Sequence, residues 1–173
     1  MNIRSATVAD IPAMLDLERQ CLGAAHWSRQ QYEDLFRTHD NGPGRLVLTI
    51  QEIAHEAEPE SRPAAASSRV LGFLTANQIE SEWELENIVI APAFRRRGLA
   101  TQLFTAFLTR ARETNGERVF LEVRESNQAA RALYVRHGFK ERGRRKLYYA
   151  NPQEDAVLYR LSLAHPSTHH PSA

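Results

Sequence analysis

Residues 89–100 read VIAPAFRRRGLA, and this stretch decides the fold of the 173-residue chain. An apolar strand ends at a proline, a basic turn follows, and a long amphipathic helix begins at about Gly98. The N–H groups of a first helical turn have no partner within the helix, and the helix dipole adds positive charge there. Gly98 lets a phosphate approach the backbone closely, and the small Ala100 keeps the first turn open. The stretch therefore predicts an anion site.

The composition predicts one soluble domain in a reducing compartment. The chain is 42% hydrophobic, which suffices for one core. Its single cysteine, Cys21, excludes an internal disulfide and a cysteine-based metal cluster. No apolar run approaches the roughly 20 residues of a membrane span, and the N-terminus lacks the apolar core of a signal peptide. We therefore predict a cytoplasmic protein with neither a metal site nor a membrane anchor.

The net charge is +1, but acidic and basic residues are unevenly distributed along the chain. Residues 94–146 hold fourteen Lys and Arg against five Asp and Glu, whereas residues 51–86 hold two against eight. The basic half suggests a polyanionic ligand and the acidic half a basic partner. For most of the individual arginines, an ordinary solubilising surface is the simpler interpretation.

The hydrophobic periodicity predicts an α/β (α+β) architecture with a mixed sheet of about seven strands and four helices, in the order β-α-α-β-β-β-α-β-α-β-β. Capping boxes at residues 7–10 and 28–31 open the first two helices. The predicted strands are residues 1–6, 45–53, 70–78, 83–90, 119–124, 140–149 and 156–163, and the last two helices begin at about Gly98 and at Asn127. Residues 41–44 break the chain, residues 55–68 form a flexible loop and residues 164–173 a disordered tail, which leaves residues 1–163 as the domain.

Several short motifs together resemble one family. Arg95, Gly98 and Ala100 match the pattern Arg/Gln-x-x-Gly-x-Gly/Ala. The other motifs are LEVRESN at residues 121–127, ALYxxxGF at 132–139, Asn87-Ile88, Tyr148-Tyr149, Glu154-Asp155-Ala156 and Trp27-Ser28. Over residues 2–163 the chain resembles the GCN5-related N-acetyltransferases (GNAT), and within them the RimI-type ribosomal-protein N-terminal alanine acetyltransferases. It departs from their pattern at His26, where a proline is usual, and in the insert at residues 55–68.

The resemblance implies a catalytic pair. Glu122 on the fifth strand corresponds to the base that takes the amine proton, and Tyr134 on the following helix to the acid that protonates the departing thiolate. From spacing alone, other interpretations stay open. Glu122 could be a rim carboxylate paired with an arginine such as Arg124, and Tyr134 a core tyrosine on an apolar stripe.

The resemblance also implies acetyl-CoA as the acetyl donor, with no metal. A backbone N–H near residues 89–91 would meet the oxyanion, and the same strand edge would pair with the pantetheine amides. The N–H groups of residues 97–101 would hold the pyrophosphate, and Asn127 would add a polar contact. The predicted cofactor-binding residues are Ile88, Val89, Ile90, Arg95, Arg96, Arg97, Gly98, Leu99, Ala100, Thr101, Asn127 and Tyr134.

The expected acceptor is an N-terminal α-amine, most of all that of an alanine in a small-subunit ribosomal protein. Holding an α-amine of pKa about 8 neutral at pH 7 costs about 1 kcal/mol, whereas a lysine of pKa about 10.4 costs roughly 4–5 kcal/mol. A single carboxylate base therefore suits the α-amine better. The acidic residues 80–86 could receive a basic substrate tail, and ordinary surface charge explains them equally well.

Two other functions stay open. The chain could be an acetyltransferase of the same fold that acts on a small-molecule amine or a lysine, or a non-catalytic acetyl-CoA-binding module. Activity on free amines would favour the first of these, and binding without turnover the second. We expect a monomer or weak dimer with no direct contact to nucleic acid.

Overall fold

A computed structural model describes residues 1–21, 24–37, 44–52 and 69–163 and shows a seven-stranded mixed sheet with four α-helices. The strands are β1 Asn2–Ser5, β2 Arg45–Gln51, β3 Val70–Ile79, β4 Glu82–Ile90, β5 Arg118–Arg124, β6 Lys140–Ala150 and β7 Gln153–Ser162. The helices are α1 Ile11–Arg19, α2 Arg29–Asp34, α3 Leu99–Glu113 and α4 Gln128–Arg136. The predicted class and element order are confirmed. Residues 41–43 of the predicted break at 41–44, the loop at 55–68 and the tail at 164–173 lie outside the described residues.

The strands follow the order β1-β2-β3-β4-β5-β7-β6, and β4 and β5 are the parallel pair. Their pairing covers Glu82 to Leu85 against Arg118 to Leu121 and ends there. Both strands continue, β4 to Ile90 and β5 to Arg124, without pairing to each other in the described structure. The sheet is therefore split between the carboxyl halves of its two central strands.

A β-bulge lies at the start of the split. On β4, Leu85 is opposite Ala76 and Asn87 is opposite Thr75, which leaves Glu86 as the extra residue. A bulge of this kind locally increases the twist of a strand and changes the face to which its side chains point. The side chain of Leu85 lies in the core beside α3, whereas Val89 belongs to the core beside α1 and α2.

Two apolar cores enclose the sheet. On one face, α3 buries a stripe at helical spacing that includes Leu103, Phe104 and Phe107. On the other face, α1 and α2 place Met14 and Tyr32 among buried residues of β2, β3 and β4. No helix in the described ranges has the length and apolarity that crossing a bilayer requires.

The first helix starts later than the sequence predicts. The box of Thr7 and Asp10 does form, but it caps a 3-10 turn at Val8–Asp10, and α1 begins at Ile11. The reason is Pro12, which is tolerated only in a first helical turn because it lacks an N–H and clashes with the preceding turn. The second box, from Ser28 to Gln31, caps α2 as predicted.

Candidate active site

A cavity of about 170 Å³ lies where β4 and β5 separate. Four of the predicted catalytic and cofactor-binding residues line it: Ile88, Glu122, Asn127 and Tyr134. They come from β4, from β5, from the cap residue before α4 and from the last turn of α4. The structure thus brings the predicted catalytic pair and two of the predicted cofactor contacts to one place.

The cavity is lined from both faces of the sheet. Leu121 and Val123 point into the core beside α3, so Glu122 between them points to the other face. Tyr134 belongs to the core on the α3 side, where its ring lies 5.6 Å from that of Phe104. Glu122 and Tyr134 therefore approach the split from opposite sides.

Glu122 forms an ion pair with an arginine of the edge strand β6. Its Oε1 lies 3.1 Å from Nη2 of Arg145, and its side chain is 20% exposed. The alternative pairing with Arg124 does not form. That guanidinium instead bonds Glu154 at 2.7 Å and stacks 4.1 Å from the ring centre of Tyr149. The carboxylate that faces the cavity thus already has a cationic partner.

Tyr134 is buried, and burial raises its pKa well above the ordinary tyrosine value, with a smaller contribution from Tyr149. The phenol therefore keeps its proton at neutral pH. Tyr149, which also lines the cavity, has its pKa raised to about 12 by burial and by the charge of Glu122. The cavity is thus lined by two protonated phenols, those of Tyr134 and Tyr149, and by the carboxylate of Glu122.

The predicted phosphate turn has the geometry of an anion site. Gly98 adopts φ +77° as the residue before α3, and a Cβ placed on it would meet nothing within 4 Å. The first backbone bond of the helix runs from the N–H of Gln102 to the carbonyl of Gly98. In the described part of the chain, the N–H groups of Leu99, Ala100 and Thr101 have no protein acceptor. Open space over free N–H groups fits a phosphate.

The three arginines of this turn differ in their contacts. Arg95 is turned toward the protein, where its Nε donates to the carbonyl of Ile90 at 3.3 Å and its Nη2 lies 3.0 Å from Sγ of Cys21. Arg97 stacks 5.0 Å from the ring centre of Phe94. Arg96 is exposed and has φ +62°. All three are exposed, and Arg96 is the one that makes no such contact with the residues the structure describes.

Asn127 serves the fold and the cavity together. Its Oδ1 accepts from the N–H of Ala130 at 3.2 Å and caps α4, while the residue lines the cavity.

Val89 and Ile90, the two predicted cofactor-binding residues that follow Ile88, have buried side chains. The role predicted for them therefore falls on backbone groups. The N–H of Ala91 donates to Leu71 of β3 at 2.9 Å, so Val89 also faces β3 and the backbone of Ile90 is the one that faces the split.

Sequence reasoning missed a supporting residue, Glu18. This carboxylate is 2% exposed and accepts three hydrogen bonds: from Nδ2 of Asn87 at 2.7 Å, from the N–H of Trp27 at 2.9 Å and from the N–H of His26 at 3.1 Å. It ties the segment before α2 to the strand that lines the cavity. A glutamate within an amphipathic helix looks like surface, and no local pattern reveals its partner 69 residues away.

No group of three or more His, Cys, Asp and Glu side chains suited to a metal is found within the ranges that the structure covers.

Comparison with known proteins then defines the family. Residues 11–139 match the acetyltransferase (GNAT) family, and the chain belongs to it. Members of this family use acetyl-CoA as the acetyl donor.

Among similar proteins, the [ribosomal protein bS18]-alanine N-acetyltransferase of Salmonella typhimurium is 36% identical over 165 residues, 94% of this chain and 98% of that protein. A putative enzyme of the same name from Bacillus subtilis is 37% identical over 157 residues, 90% of this chain and 91% of that protein. The crystal structure of the ribosomal-protein-S18-alanine N-acetyltransferase from Escherichia coli superposes with a TM-score of 0.74, at 24% identity and 97% coverage of both chains. The fold and the family that the sequence predicted are confirmed.

Proposed function

We propose that this protein transfers the acetyl group of acetyl-CoA to the N-terminal α-amine of alanine in ribosomal protein bS18. The observation that carries the proposal is the placement of Glu122 and Tyr134 at one cavity, from opposite faces of the split sheet. Similarity to bS18-alanine N-acetyltransferases over most of the chain supports the choice of acceptor. We place the reaction in the cytoplasm, with a monomeric or weakly dimeric enzyme and no metal.

The donor supplies an activated acetyl thioester, and residues of this chain fit its parts. The free N–H groups of Leu99, Ala100 and Thr101 would hold the pyrophosphate above Gly98, with charge from Arg95, Arg96 and Arg97 around them. At the unpaired edge of β4, backbone groups of Ile88 and Ile90 would accept the pantetheine amides, while Val89 between them faces β3. The carbonyl of Ile90 already accepts from Arg95, which leaves its N–H free. Asn127, whose Oδ1 caps α4, retains its Nδ2 to donate into the cavity.

Proton transfer is assigned to the pair at the cavity. Glu122 would take a proton from the acceptor ammonium, directly or through a water, after the amine displaces Arg145. Tyr134, whose raised pKa keeps its proton in place, would donate to the departing thiolate, and the second proton that the nitrogen loses on becoming an amide would restore the phenol. The N–H of Ile90 would meet the oxyanion of the addition step, because the N–H of Ala91 already donates to the carbonyl of Leu71 on β3.

The test is mass spectrometry of a peptide panel incubated with acetyl-CoA. The panel holds the N-terminal peptide of bS18 with its free alanine, the same peptide with a blocked N-terminus and free lysines, and several small amines. The proposal predicts acetylation of the free alanine amine and none of the blocked peptide. Transfer to lysine or to small amines instead would leave the family intact and overturn the acceptor. Binding of acetyl-CoA without transfer to any acceptor would indicate a non-catalytic module.

A further inference from the structure

Two carboxylates of β4, those of Glu84 and Glu86, lie near the cavity on the face of the sheet to which Glu122 points. Trp83 and Leu85 of β4 are buried on the α3 side, so Glu84 between them points to the opposite face. Glu86, the bulge residue, lines the cavity itself. Glu84, Glu86 and Glu122 therefore form an acidic track that leads from the cavity along β4.

Two of these carboxylates have a cationic partner and the third has none. Arg45 donates from Nη1 to both carboxylate oxygens of Glu86, at 2.6 and 2.7 Å, and Arg145 pairs with Glu122 at 3.1 Å. Glu84 forms neither an ion pair nor a hydrogen bond with any residue that the structure describes. Burial raises the pKa of Glu84, the charges of Glu86 and Glu122 raise it further, and the charges of Arg45 and Arg145 lower it by a smaller amount. Three carboxylates and two guanidinium groups leave one negative charge unbalanced.

An independent observation at the same place points to a hydrogen-bond donor. Asn77 on β3 is directly opposite Glu84, so the two side chains are neighbours on one face. Asn77 is 8% exposed, and its Oδ1 is buried without a hydrogen-bond partner in the described structure. A buried amide oxygen normally has a donor. An unpaired carboxylate beside an unpaired amide oxygen suits a cation that carries several N–H groups, as lysine and arginine do.

The distance from Glu122 fits a peptide acceptor. Glu84 is opposite Phe120, two positions before Glu122 on the neighbouring strand. With strands about 4.8 Å apart and about 3.3 Å per residue, the two Cα atoms are about 8 Å apart. When the N-terminal amine stands at Glu122, the side chain of the second residue can extend to Glu84.

We infer that Glu84 and Asn77 form a subsite for a lysine or arginine side chain that directly follows the acetylated residue. The subsite rests on the proposed function, since it presupposes an N-terminal amine at Glu122. The unbalanced charge on Glu84 and the orphan Oδ1 of Asn77 both gain a partner when such a peptide binds. Peptides with a neutral or acidic second residue leave both groups unpaired.

The test measures kcat/KM for four peptides that differ only in the second residue, which is Arg, Lys, Gln or Glu. The wild-type protein is expected to prefer Arg and Lys over Gln by about tenfold or more, the size of one hydrogen bond to a charged group. E84Q should reduce this ratio to within about threefold, and E84K should favour the Glu peptide. The matched control is E82Q on the same strand, whose carboxylate already pairs with Arg118 at 2.5 Å and whose loss should keep the ratio.

The outcomes separate the subsite from the proposed function. Equal kcat/KM for all four peptides, or an unchanged ratio in E84Q and E84K, would overturn the subsite while N-terminal acetylation stands. Acetylation of lysine or small amines, with all four alanine amines left unmodified, would overturn the proposed function and the subsite with it. Melting temperatures and acetyl-CoA affinities of the variants verify that each remains folded.

Discussion

The carboxylate of Glu122 is held by the guanidinium of Arg145, with Oε1 and Nη2 3.1 Å apart. Glu122 lies on a central strand, whereas Arg145 belongs to β6, the last strand of the sheet, and its side chain is 54% exposed. An acceptor that arrives as an ammonium ion needs the position that this guanidinium occupies. The free protein thus keeps its proposed base neutralised, and the acceptor competes with Arg145 for it.

Replacement of this competitor should help the acceptor bind. R145Q is expected to lower KM for the acceptor peptide by about two- to fivefold, because an exposed ion pair contributes about 0.2–1 kcal/mol. KM for acetyl-CoA should not change. Steady-state kinetics with both substrates varied would measure this. The control is R144Q, whose guanidinium pairs with Glu125 and Glu141 instead. A rise in the acceptor KM of R145Q would show that Arg145 binds the acceptor and does not compete with it.

Loss of the proposed base should affect turnover and spare donor binding. E122Q keeps the size of the side chain and removes its basicity, so kcat should fall by about 10²–10⁴-fold. The affinity for acetyl-CoA, measured by calorimetry, should stay within about twofold of wild type. E125Q, which removes a nearby carboxylate that pairs with Arg144, serves as the control. An equal loss of turnover and of acetyl-CoA affinity in E122Q would contradict the assigned role.

The hydroxyl of Tyr134 can be removed without emptying its place in the core. Y134F retains the ring that packs against Phe104 and Tyr159, so the melting temperature should change little. The proposed acid is lost, and kcat should fall by about 10²-fold or more. Y159F is the matched control, because the hydroxyl of Tyr159 bonds Arg131 and does not line the cavity. If Y134F turned over at the wild-type rate, Tyr134 would be a packing residue.

The open space above Gly98 can be filled by a side chain. G98V places methyl groups over the N–H groups at the start of α3 and strains a residue at φ +77°, so KM for acetyl-CoA should rise by about tenfold or more. At saturating donor, kcat should change far less, because the catalytic pair is elsewhere. G143A is the control, since a Cβ there also meets nothing within 4 Å and φ is not positive. An unchanged donor KM in G98V would remove the phosphate site from this turn.

The carboxylate of Asp10 should make stability depend on pH. Two hydrogen bonds of 2.8 Å from Arg4 lower the pKa of Asp10. A carboxyl whose pKa is lower in the folded state stabilises the protein above its ordinary pKa of about 3.9, and the contribution is lost as pH falls through the lowered value. D10N should therefore lower the free energy of unfolding by about 1–2 kcal/mol at pH 7. Urea titrations at pH 7 and near pH 2 measure this. A difference of the same size at both pH values would contradict it.

The sequence predicted local elements well because each element carries its own pattern. The apolar stripe of α3 and the glycine turn before it are visible within a few residues of chain. The predicted capping box before α1 forms, but it opens a 3-10 turn, and the α-helix itself begins at Ile11 because Pro12 restricts where a helix can begin. The capping box thus sets the start of the 3-10 turn, and the steric restriction by Pro12 sets the start of the α-helix.

The arrangement around the cavity could not be predicted in the same way. The partner of Glu122 is 23 residues further along the chain, on a strand that reaches it only across β7. The bulge at Glu86 is set by pairing with β3, and the buried Glu18 finds Asn87 only in the folded chain. Such contacts depend on register between strands, which a single sequence does not encode locally.

The split between β4 and β5 leaves a gap between the two central strands of the sheet. In the proposed reaction, the donor held at the start of α3 and the acceptor amine held at Glu122 meet in this gap. Because both reactants can be present together, the acetyl group can pass straight between them, and the protein itself need never carry it.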